Sequence, residues 1–279
     1  MRLLDFARNF HSQAGEDGVI ERALDVLGDR NGWCVEFGAW DGEHLSNTKR
    51  LIDERGFSAV LIEGDAARHR ALVERTRSNP KVIALKRMVG FGPEDGLDSI
   101  LRGTPIPKDF DFLSIDIDGN DYHAWSAVRQ YEPKLVCIEF NPTIPNEVHF
   151  VQPADPAVAQ GSSLRALTEL AAEKGYELVA VTAHNAIFVR ARDFARFGID
   201  DNRPETLRED LSEVTQIFCG FDGTVMITGG GRLPWHNLRY RALVRQMPRF
   251  LRRHPSRYGL VARACMVAYR WFMRTLRGG

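Results

Sequence analysis

The sequence predicts an α/β fold: a doubly wound, mostly parallel sheet with an antiparallel hairpin at its edge and a basic helical extension at the carboxyl end. Two patterns support this prediction. Short, nearly continuous apolar runs alternate with helical patterns from residue 33 to residue 175, which is typical of a parallel sheet covered on both faces. Two more apolar runs follow, separated only by Ala183 and His184, and they predict the hairpin.

The elements are expected in a regular order. A helix over Gly15–Leu27 has acidic residues at its start and apolar residues at helical spacing. The predicted strands are then 33–37, 58–63, 81–86, 110–116 and 134–139, followed by the hairpin strands 176–182 and 185–190. The predicted helices are 46–56, 65–77, 95–102, 121–130 and 162–175. A polar stretch near 200–213 precedes a segment expected to be short helix or irregular, and Gly229-Gly230-Gly231 predicts a hinge.

The net charge of zero hides an uneven distribution. All 37 acidic residues lie in residues 1–222 beside 25 basic ones, whereas residues 223–279 contain 12 arginines and no carboxylate side chain. We therefore expect a body over 1–228, of which 1–30 is a helical segment, and an arginine-rich tail over 229–279. Four widely spaced cysteines and the absence of a long apolar run predict a cytoplasmic chain without a membrane span.

The turn after the first predicted strand is the most informative motif. Glu36-Phe37-Gly38 leads into Ala39-Trp40-Asp41-Gly42, and Ser46-Asn47-Thr48 opens the next helix. A strand, a glycine turn and a helix N-terminus together present backbone N–H groups to an anionic or zwitterionic ligand. Glu63 ends the next strand, where an acidic side chain accepts hydrogen bonds from a ribose. A nucleoside cofactor is the favoured interpretation and a purely structural glycine turn the alternative, while the absence of Gly-x-Gly-x-x-Gly argues against a dinucleotide.

These motifs resemble those of class I S-adenosylmethionine-dependent methyltransferases. Residues 35–42 look like the first motif of that superfamily, and residues 62–65 look like the second, whose acidic side chain holds the ribose hydroxyls. Residues 12–18, 114–122 and 138–142 resemble the FkbM-type branch, so the resemblance covers about residues 12–190. It implies a Rossmann-like fold and S-adenosylmethionine as the cofactor. The residues expected to bind this cofactor are Gln13, Glu36, Gly38, Ala39, Asp41, Gly42, Asn47, Glu63 and Asp116.

Acidic and amide side chains follow the fourth and fifth predicted strands. Because ligands bind beyond the carboxyl ends of the strands in such a sheet, these side chains should face the same cavity as the glycine turn. Asp118, Glu139 and Asn141 offer the oxygen ligands that a divalent metal such as Mg²⁺ prefers. Sugar O-methyltransferases that this chain resembles use a metal at these strand ends. The alternative is that Asp116 and Asp121 cap the turn and the next helix without a metal.

Methyl transfer to a sugar hydroxyl requires a base. His123, just after the acidic cluster, and His149, in the 142–156 loop expected to cover the acceptor, are the histidine candidates. Asp121 or Asp118 could take the same role. A histidine on a helix face is also often a packed or solvated side chain, so both interpretations of the two histidines stay open.

The tail predicts a second binding surface. Residues 258–277 read as a helix with an arginine stripe formed by Arg263, Arg270, Arg274 and Arg277. Three partners fit residues 232–277: an anionic membrane surface, anchored by Trp235, Phe250, Trp271 and Phe272; the acidic body or a second copy of the chain; and RNA, the least favoured.

The sequence therefore predicts an S-adenosylmethionine-dependent O-methyltransferase that acts on a sugar hydroxyl of a glycan or glycolipid, with metal assistance. We expect it in the cytoplasm, with the tail placing it at the inner face of the membrane. Two alternatives remain at this point. One is a small-molecule or RNA O-methyltransferase, and the other is a non-catalytic, methyltransferase-like binding protein.

Overall fold

The structure, a computed structural model, describes residues 2–28, 31–233, 235–244, 246–252 and 254–275. It contains two compact units, Met1–Leu211 and Ser212–Gly279. The first unit holds the sheet and the predicted cofactor motifs. In the described residues, no helix is both long enough and apolar enough to cross a lipid bilayer.

The first unit is built on a mixed sheet of seven strands, mostly parallel. The strands are β1 (Trp33–Phe37), β2 (Ser58–Glu63), β3 (Val82–Lys86), β4 (Phe112–Ile115), β5 (Leu135–Glu139), β6 (Tyr176–Val181) and β7 (Asn185–Arg190). Their order is β3-β2-β1-β4-β5-β7-β6. Strands β1 to β5 are parallel, and β7 is antiparallel to both β5 and β6. The predicted fold class is confirmed: this is an alternating α/β, Rossmann-like sheet with an antiparallel hairpin at its edge.

Helices cover both faces of the sheet. They are α1 (Glu16–Leu27), α2 (Lys49–Arg55), α3 (Ala66–Thr76), α4 (Leu97–Leu101), α5 (Asp121–Ala127), α6 (Leu164–Glu173) and the short α7 (Pro204–Leu207). Alternate strand residues point to opposite faces, so Cys34 belongs to one buried cluster with side chains of α1 to α3. Val35 belongs to the other buried cluster, with side chains of α4 to α6. The strands are apolar on both sides because both sides are covered.

This topology places the polar strand ends at one edge. Strand β1 lies between β2 and β4, so the connections on its two sides lead in opposite directions along the sheet. A crevice forms at such a switch point, outside the carboxyl ends of the strands. Asn185, the first residue of β7, pairs in register with Glu139, the last residue of β5. The turn of the β6–β7 hairpin therefore lies at the same edge as the ends of β1, β2, β4 and β5.

The second unit begins with two strands that the sequence did not predict. β8 (Thr215–Cys219) and β9 (Val225–Gly229) pair as an antiparallel hairpin, so the expected short helix or irregular segment is wrong. The reason is local: β-branched residues alternate through both strands, and Gly223 adopts a φ of 85° in the turn between them. Helices α8 (Tyr240–Leu243) and α9 (Leu260–Thr275) follow. Arg277, which was expected on the last helix, lies outside the described residues.

Candidate functional site

The turn after β1 has a backbone that only glycine can adopt there. Gly38 has a φ of 81°. A Cβ at this position would lie 1.7 Å from the backbone oxygen of Asp116, at the end of β4. The amides of Gly38 and Ala39 both donate to the carbonyl of Ile62, at 3.1 and 3.2 Å. The ends of β1, β2 and β4 are therefore pressed together around this glycine.

The second half of the turn is stabilised by Asp41. Its carboxylate accepts hydrogen bonds from the amides of Glu43 and His44, at 3.1 and 2.8 Å, and lies 3.2 Å from the guanidinium of Arg75. Partial burial raises the pKa of Asp41, but the two amides and then Arg75 outweigh it, and the net pKa is lowered. Gly42, with a φ of 77°, completes the loop. In this structure Asp41 and Gly42 shape the turn.

Glu36 anchors the segment that precedes α2. Its carboxylate accepts hydrogen bonds from the hydroxyls of Ser46 (2.7 Å) and Thr48 (2.6 Å) and from the amide of Asn47 (2.8 Å). Burial raises the pKa of Glu36, and the hydrogen bonds oppose that rise. The Asn47 amide group in turn donates to the Ser114 hydroxyl at 3.1 Å. Glu36 and Asn47, both predicted to bind the cofactor, are thus held against the sheet. Both carboxylate oxygens of Glu36 accept hydrogen bonds from the loop.

Glu63 is fixed at the end of β2 by two hydrogen bonds that leave part of its acceptor positions unused. One carboxylate oxygen accepts from the amide of Trp40 at 2.9 Å, and the other accepts from the amide of Asp65 at 2.7 Å. An ionised carboxylate offers about four acceptor positions, so two remain. The side chain is only 6 % exposed, which means that its orientation is determined by the fold. This geometry suits recognition of two neighbouring hydroxyl groups.

Three carboxylates converge at the ends of β4 and β5. Asp116 follows β4, Glu139 ends β5, and Asp118 adopts a φ of 57° in the turn after Asp116. One carboxylate oxygen from each of the three lies within 4.8 Å of the others. Oxygen ligands of Mg²⁺ or Ca²⁺ lie roughly 3 to 5 Å apart, because each is about 2.0–2.6 Å from the ion. The cluster formed by Asp116, Asp118 and Glu139 therefore fits one divalent cation.

The protonation of this cluster is shifted by its surroundings. Burial, followed by the charges of Asp121 and Asp118, raises the pKa of Asp116 to about 7. Burial and the charge of Asp116 raise the pKa of Glu139 as well. A bound cation would favour the ionised forms and reverse both shifts. The negative charges of the cluster thus repel one another, and a positive ligand would reduce this repulsion.

Asp121 holds the turn that carries Asp118. Its carboxylate is 3 % exposed and accepts hydrogen bonds from the amides of Ile117 and Gly119, each at 2.9 Å. Burial raises its pKa to about 6 in spite of these two bonds. These bonds cap the turn, and the predicted use of Asp121 as a base stays a prediction. Asp121 positions Asp118, whose left-handed conformation is uncommon for a non-glycine residue.

The two candidate histidines lie in different environments. The Nε2 atom of His123 is 2.8 Å from the carbonyl oxygen of Gln152, so Nε2 is the donor and Nδ1 is left as the acceptor of the neutral ring. His149 is paired through Nδ1 with Glu169 on α6 at 2.7 Å, and both side chains are about half exposed. His123 follows Asp121 by two residues and lies under the loop that begins at residue 142. The use of either histidine as a base stays a prediction.

Asn141 has a different surrounding from the one expected for a metal ligand. Its carbonyl oxygen accepts from the amide and the hydroxyl of Thr143, at 2.9 and 2.6 Å, and its NH₂ group donates to the carbonyl of Gln160 at 2.7 Å. The amide therefore closes the 142–160 loop. Asp116 contributes an oxygen to the carboxylate cluster, and its binding of the cofactor stays a prediction.

The structure also identifies residues that the sequence did not single out as parts of the site. Glu16, at the start of α1, is completely buried and accepts from the Thr182 hydroxyl (2.5 Å) and the Asn185 amide (3.1 Å) of the β6–β7 hairpin. Asp17 accepts from three consecutive amides, those of residues 10–12. These bonds fix the N-terminal segment, in which Gln13 is exposed. The available signals were two acidic residues at a helix start, which indicate a favourable helix dipole, and the resemblance of residues 12–18 to the FkbM-type branch, which assigned no contact to either residue.

Gln152 is the other unforeseen residue. It is 1 % exposed, and its side-chain oxygen accepts from the amides of Gln160 and Gly161 at 2.9 and 2.8 Å. The backbone carbonyl of Gln152 accepts a hydrogen bond from Nε2 of His123. Gln152 therefore connects the loop over the sheet edge to α5. The two residues in contact are 29 positions apart, and no local sequence pattern reveals the connection.

The buried carboxylates of this site share one electrostatic property. Glu16, Asp17, Glu36 and Asp121 are each at most 4 % exposed. The buried Asp111, at the opposite ends of the strands, is neutralised by Lys134 at 2.9 Å. Within the part of the chain that the structure describes, no arginine or lysine forms an ion pair with the four carboxylates near the site. A buried negative region of this kind favours a cationic ligand.

Comparisons with known proteins give low similarity. No protein-family model matches the chain, and no curated protein matches it. Among solved structures, a proposed O-methyltransferase from Klebsiella pneumoniae is 16 % identical, with a TM-score of 0.44 over 67 % of this chain and 87 % of that one. A SAM-dependent methyltransferase from Aquifex aeolicus is 13 % identical, with a TM-score of 0.37 over 61 % of this chain and 87 % of that one. The citrinin polyketide synthase CMeT domain is 13 % identical, with a TM-score of 0.41 over 65 % of this chain, which spans about half (54 %) of that structure.

Proposed function

We propose that this chain is an S-adenosylmethionine-dependent O-methyltransferase that acts on a sugar hydroxyl of a glycan or glycolipid, with a divalent metal at its acceptor site. One observation carries the proposal. The carboxyl edge of a methyltransferase-type sheet brings together the Gly38 turn, the Glu63 carboxylate with two acceptor positions left, and the cluster of Asp116, Asp118 and Glu139.

The residues of the site fit the cofactor. Glu63 would accept the two ribose hydroxyls, and the turn over 38–42 would lie beside the nucleoside. The negative region around Glu36 and Asp17 suits a ligand that carries a sulfonium and an ammonium charge. When bound, S-adenosylmethionine supplies a methyl group whose carbon–sulfur bond breaks as the new carbon–oxygen bond forms. The chain's own part is to orient the acceptor oxygen in line with that bond and to take its proton.

The carboxylate cluster fits a metal. Asp116, Asp118 and Glu139 would hold a cation such as Mg²⁺, which would lower the pKa of a bound hydroxyl and orient it with a neighbouring hydroxyl. A sugar offers two hydroxyls on adjacent carbons, and this match supports a carbohydrate acceptor. The acceptor proton would go to Nδ1 of His123, because Nε2 is committed to the Gln152 carbonyl.

Calorimetric titration with S-adenosylhomocysteine tests the cofactor site. We expect wild type to bind, and Glu63→Gln to bind roughly 10- to 100-fold more weakly, because hydrogen bonds from the ribose to a charged acceptor are lost. Glu74→Gln, which removes an exposed carboxylate on α3, should bind like wild type. Failure of wild type to bind would overturn the proposal.

The same variants can separate the metal from the cofactor. Repeating the titration with Mg²⁺ alone should give one site that Asp118→Asn weakens, while that variant keeps its affinity for S-adenosylhomocysteine. Methyl transfer to a panel of sugars, small diols and RNA then identifies the acceptor class. Transfer that is unaffected by a chelator would remove the metal from the proposal, and transfer to RNA alone would remove the glycan.

A further inference from the structure

The second unit has the composition of a surface that binds something anionic and apolar. From residue 223 onward the chain has 12 arginines and no carboxylate side chain. Among the described residues of this unit, Leu251 and Tyr258 are the buried apolar side chains. Its exposed large apolar side chains are Ile217, Phe218, Phe221, Met226, Trp235, Leu238, Leu243, Phe250, Leu260, Val261, Val267, Trp271 and Phe272. A soluble surface rarely collects so many apolar groups beside so little core.

Helix α9 concentrates this property on one side. At about 100° per residue, Leu260, Ala264, Val267, Ala268 and Trp271 fall on one strip of the helix. We call these five residues the α9 strip. All five are exposed, with exposed fractions of 86 % for Leu260, 67 % for Val267 and 68 % for Trp271. The opposite side of the helix, with residues 262, 265, 266, 269 and 273, is half-buried. A helix of a soluble domain normally has the reverse arrangement, with its apolar stripe inside.

Arginines border the α9 strip. Arg263 and Arg270 lie on the helix side next to Leu260 and Val267, and both are exposed. A long arginine side chain can run along an apolar surface and place its guanidinium at the level of lipid phosphates. Trp271, within the strip, is a residue type enriched at membrane–water interfaces. Apolar strip, bordering arginines and tryptophan together are typical of a helix that lies in the plane of an anionic membrane surface.

We propose that the second unit docks on an anionic lipid surface, with the α9 strip buried among the lipids and Arg263 and Arg270 at the phosphates. Charge complementarity favours an anionic partner, because arginines border the strip and no carboxylate side chain follows residue 222. The aliphatic members of the strip decide between lipid and nucleic acid, because RNA contacts arginines and aromatic rings but gives no burial to Leu260 or Val267. Docking does not depend on the proposed methyl transfer and is tested without measuring activity.

The test is sedimentation of the full chain with vesicles of phosphatidylcholine, with and without phosphatidylglycerol. We expect binding to the anionic vesicles only. The double variant Arg263→Gln, Arg270→Gln should bind roughly 25-fold more weakly, at about fivefold for each arginine near an anionic surface. Val267→Glu should weaken binding at least tenfold, because it places a carboxylate in the α9 strip. Binding of wild type should weaken as salt is raised.

Matched variants in the first unit provide the controls. Val73→Glu adds the same charge on the exposed side of α3, and Arg77→Gln removes an exposed arginine next to that helix. Both should bind vesicles like wild type. Circular dichroism verifies that each variant is folded, and Ala268→Glu replaces Val267→Glu should the latter not fold. The tryptophan fluorescence of wild type, to which all five tryptophans contribute, should shift to shorter wavelength with anionic vesicles, and Trp271→Phe should reduce that shift.

Four results would overturn the proposal. The first is equal binding to neutral and anionic vesicles, and the second is anionic binding that Val267→Glu leaves intact. The third is RNA binding without vesicle binding, which would assign the arginines to nucleic acid. The last is a concentration-dependent dimer that Val267→Glu abolishes while vesicles are ignored, because a second copy of the chain would then cover the α9 strip.

Discussion

The two units of this chain differ in whether their charged side chains are buried or exposed. In the first unit, Glu16, Asp17, Glu36, Asp111 and Asp121 are each at most 4 % exposed, and each accepts hydrogen bonds. Among the described residues, Oδ1 of Asp17 has no hydrogen-bond partner. In the second unit, no charged side chain is buried among the described residues. A net charge of zero therefore describes neither unit. Stability of the first unit should depend on buried contacts and on pH, and binding by the second unit should depend on salt and on its partner.

The largest loss of stability is expected when a buried ion pair of the first unit loses one of its two charges. Asp111 is completely buried and accepts from the amides of Asn31 (3.1 Å) and Gly32 (2.6 Å) and from Lys134 (2.9 Å). Asp111→Asn replaces one acceptor oxygen by an NH₂ group and leaves a buried ammonium beside a neutral residue. We expect a loss of about 3–5 kcal/mol in the free energy of unfolding in urea.

An exposed ion pair of the same unit is the control for this change. Asp201 lies 2.6 Å from Arg203, and both side chains face solvent. Asp201→Asn should cost only a small fraction of the Asp111→Asn loss, because water replaces the partner. Equal losses would contradict the contrast between buried and exposed charge.

The second expected effect concerns the backbone at the candidate site. Gly38→Ala places a Cβ 1.7 Å from the Asp116 oxygen at a φ of 81°. The ends of β1 and β4 must then separate, at a cost of about 3 kcal/mol or more in unfolding free energy. Binding of S-adenosylhomocysteine should be lost in the same variant.

Gly175→Ala separates crowding from backbone strain. Gly175 has a nearly identical φ of 77°, but a Cβ there meets no atom within 4 Å. This variant should lose only about 1 kcal/mol, which is the cost of the left-handed conformation for alanine. Should both variants lose the same free energy, close packing of the strand ends is not what requires a glycine at position 38.

The sequence was sufficient where a property is local. Apolar runs gave all seven strands of the sheet within two residues, and counting strands put Glu63 and Glu139 at the same edge as Gly38. The hairpin of β8 and β9 is also local but was missed, because its alternation is short and leaves Phe218 and Met226 exposed rather than directed to a core.

The parts of the site that could not be predicted depend on contacts between distant residues. Glu16 meets Asn185 across 169 positions, and His123 meets the Gln152 carbonyl across 29. The proximity of Asp116 to Asp118 and Glu139, and the hydrogen bonds of Asn141 within the loop, have the same origin. Asp116 and Asn141 both follow strands of the same edge, and only the folding of the 142–160 loop shows that the Asn141 amide is already used. Residue type indicated the chemistry, and packing decided which side chain is available for it.

The smallest expected effect is a pH dependence that only the first unit should show. Lys174 is partly buried and donates to the carbonyl of Val128 at 2.6 Å. Burial, followed by the charge of Arg129, lowers its pKa from 10.5 to about 8. Above pH 8 this lysine therefore binds more protons in the unfolded chain than in the folded one, and its contribution to the free energy of unfolding rises with pH. Because the amine is partly exposed, we expect this contribution to grow by only about 1 kcal/mol between pH 8 and 9.5. Burial raises the pKa of the Cys34 and Cys137 thiols, and these lower the free energy of unfolding over the same range, so the Lys174 contribution is measured as a difference between variants.

The free energy of unfolding of wild type, relative to that of Lys174→Met, should rise by this amount from pH 8 to 9.5, while Lys81→Met, which removes an exposed lysine that donates to the Gly56 carbonyl, should follow wild type. The arginines of the second unit stay charged throughout this range and add no slope. Urea unfolding at several pH values measures all three proteins. A difference between wild type and Lys174→Met that stays constant with pH would contradict the assignment to Lys174.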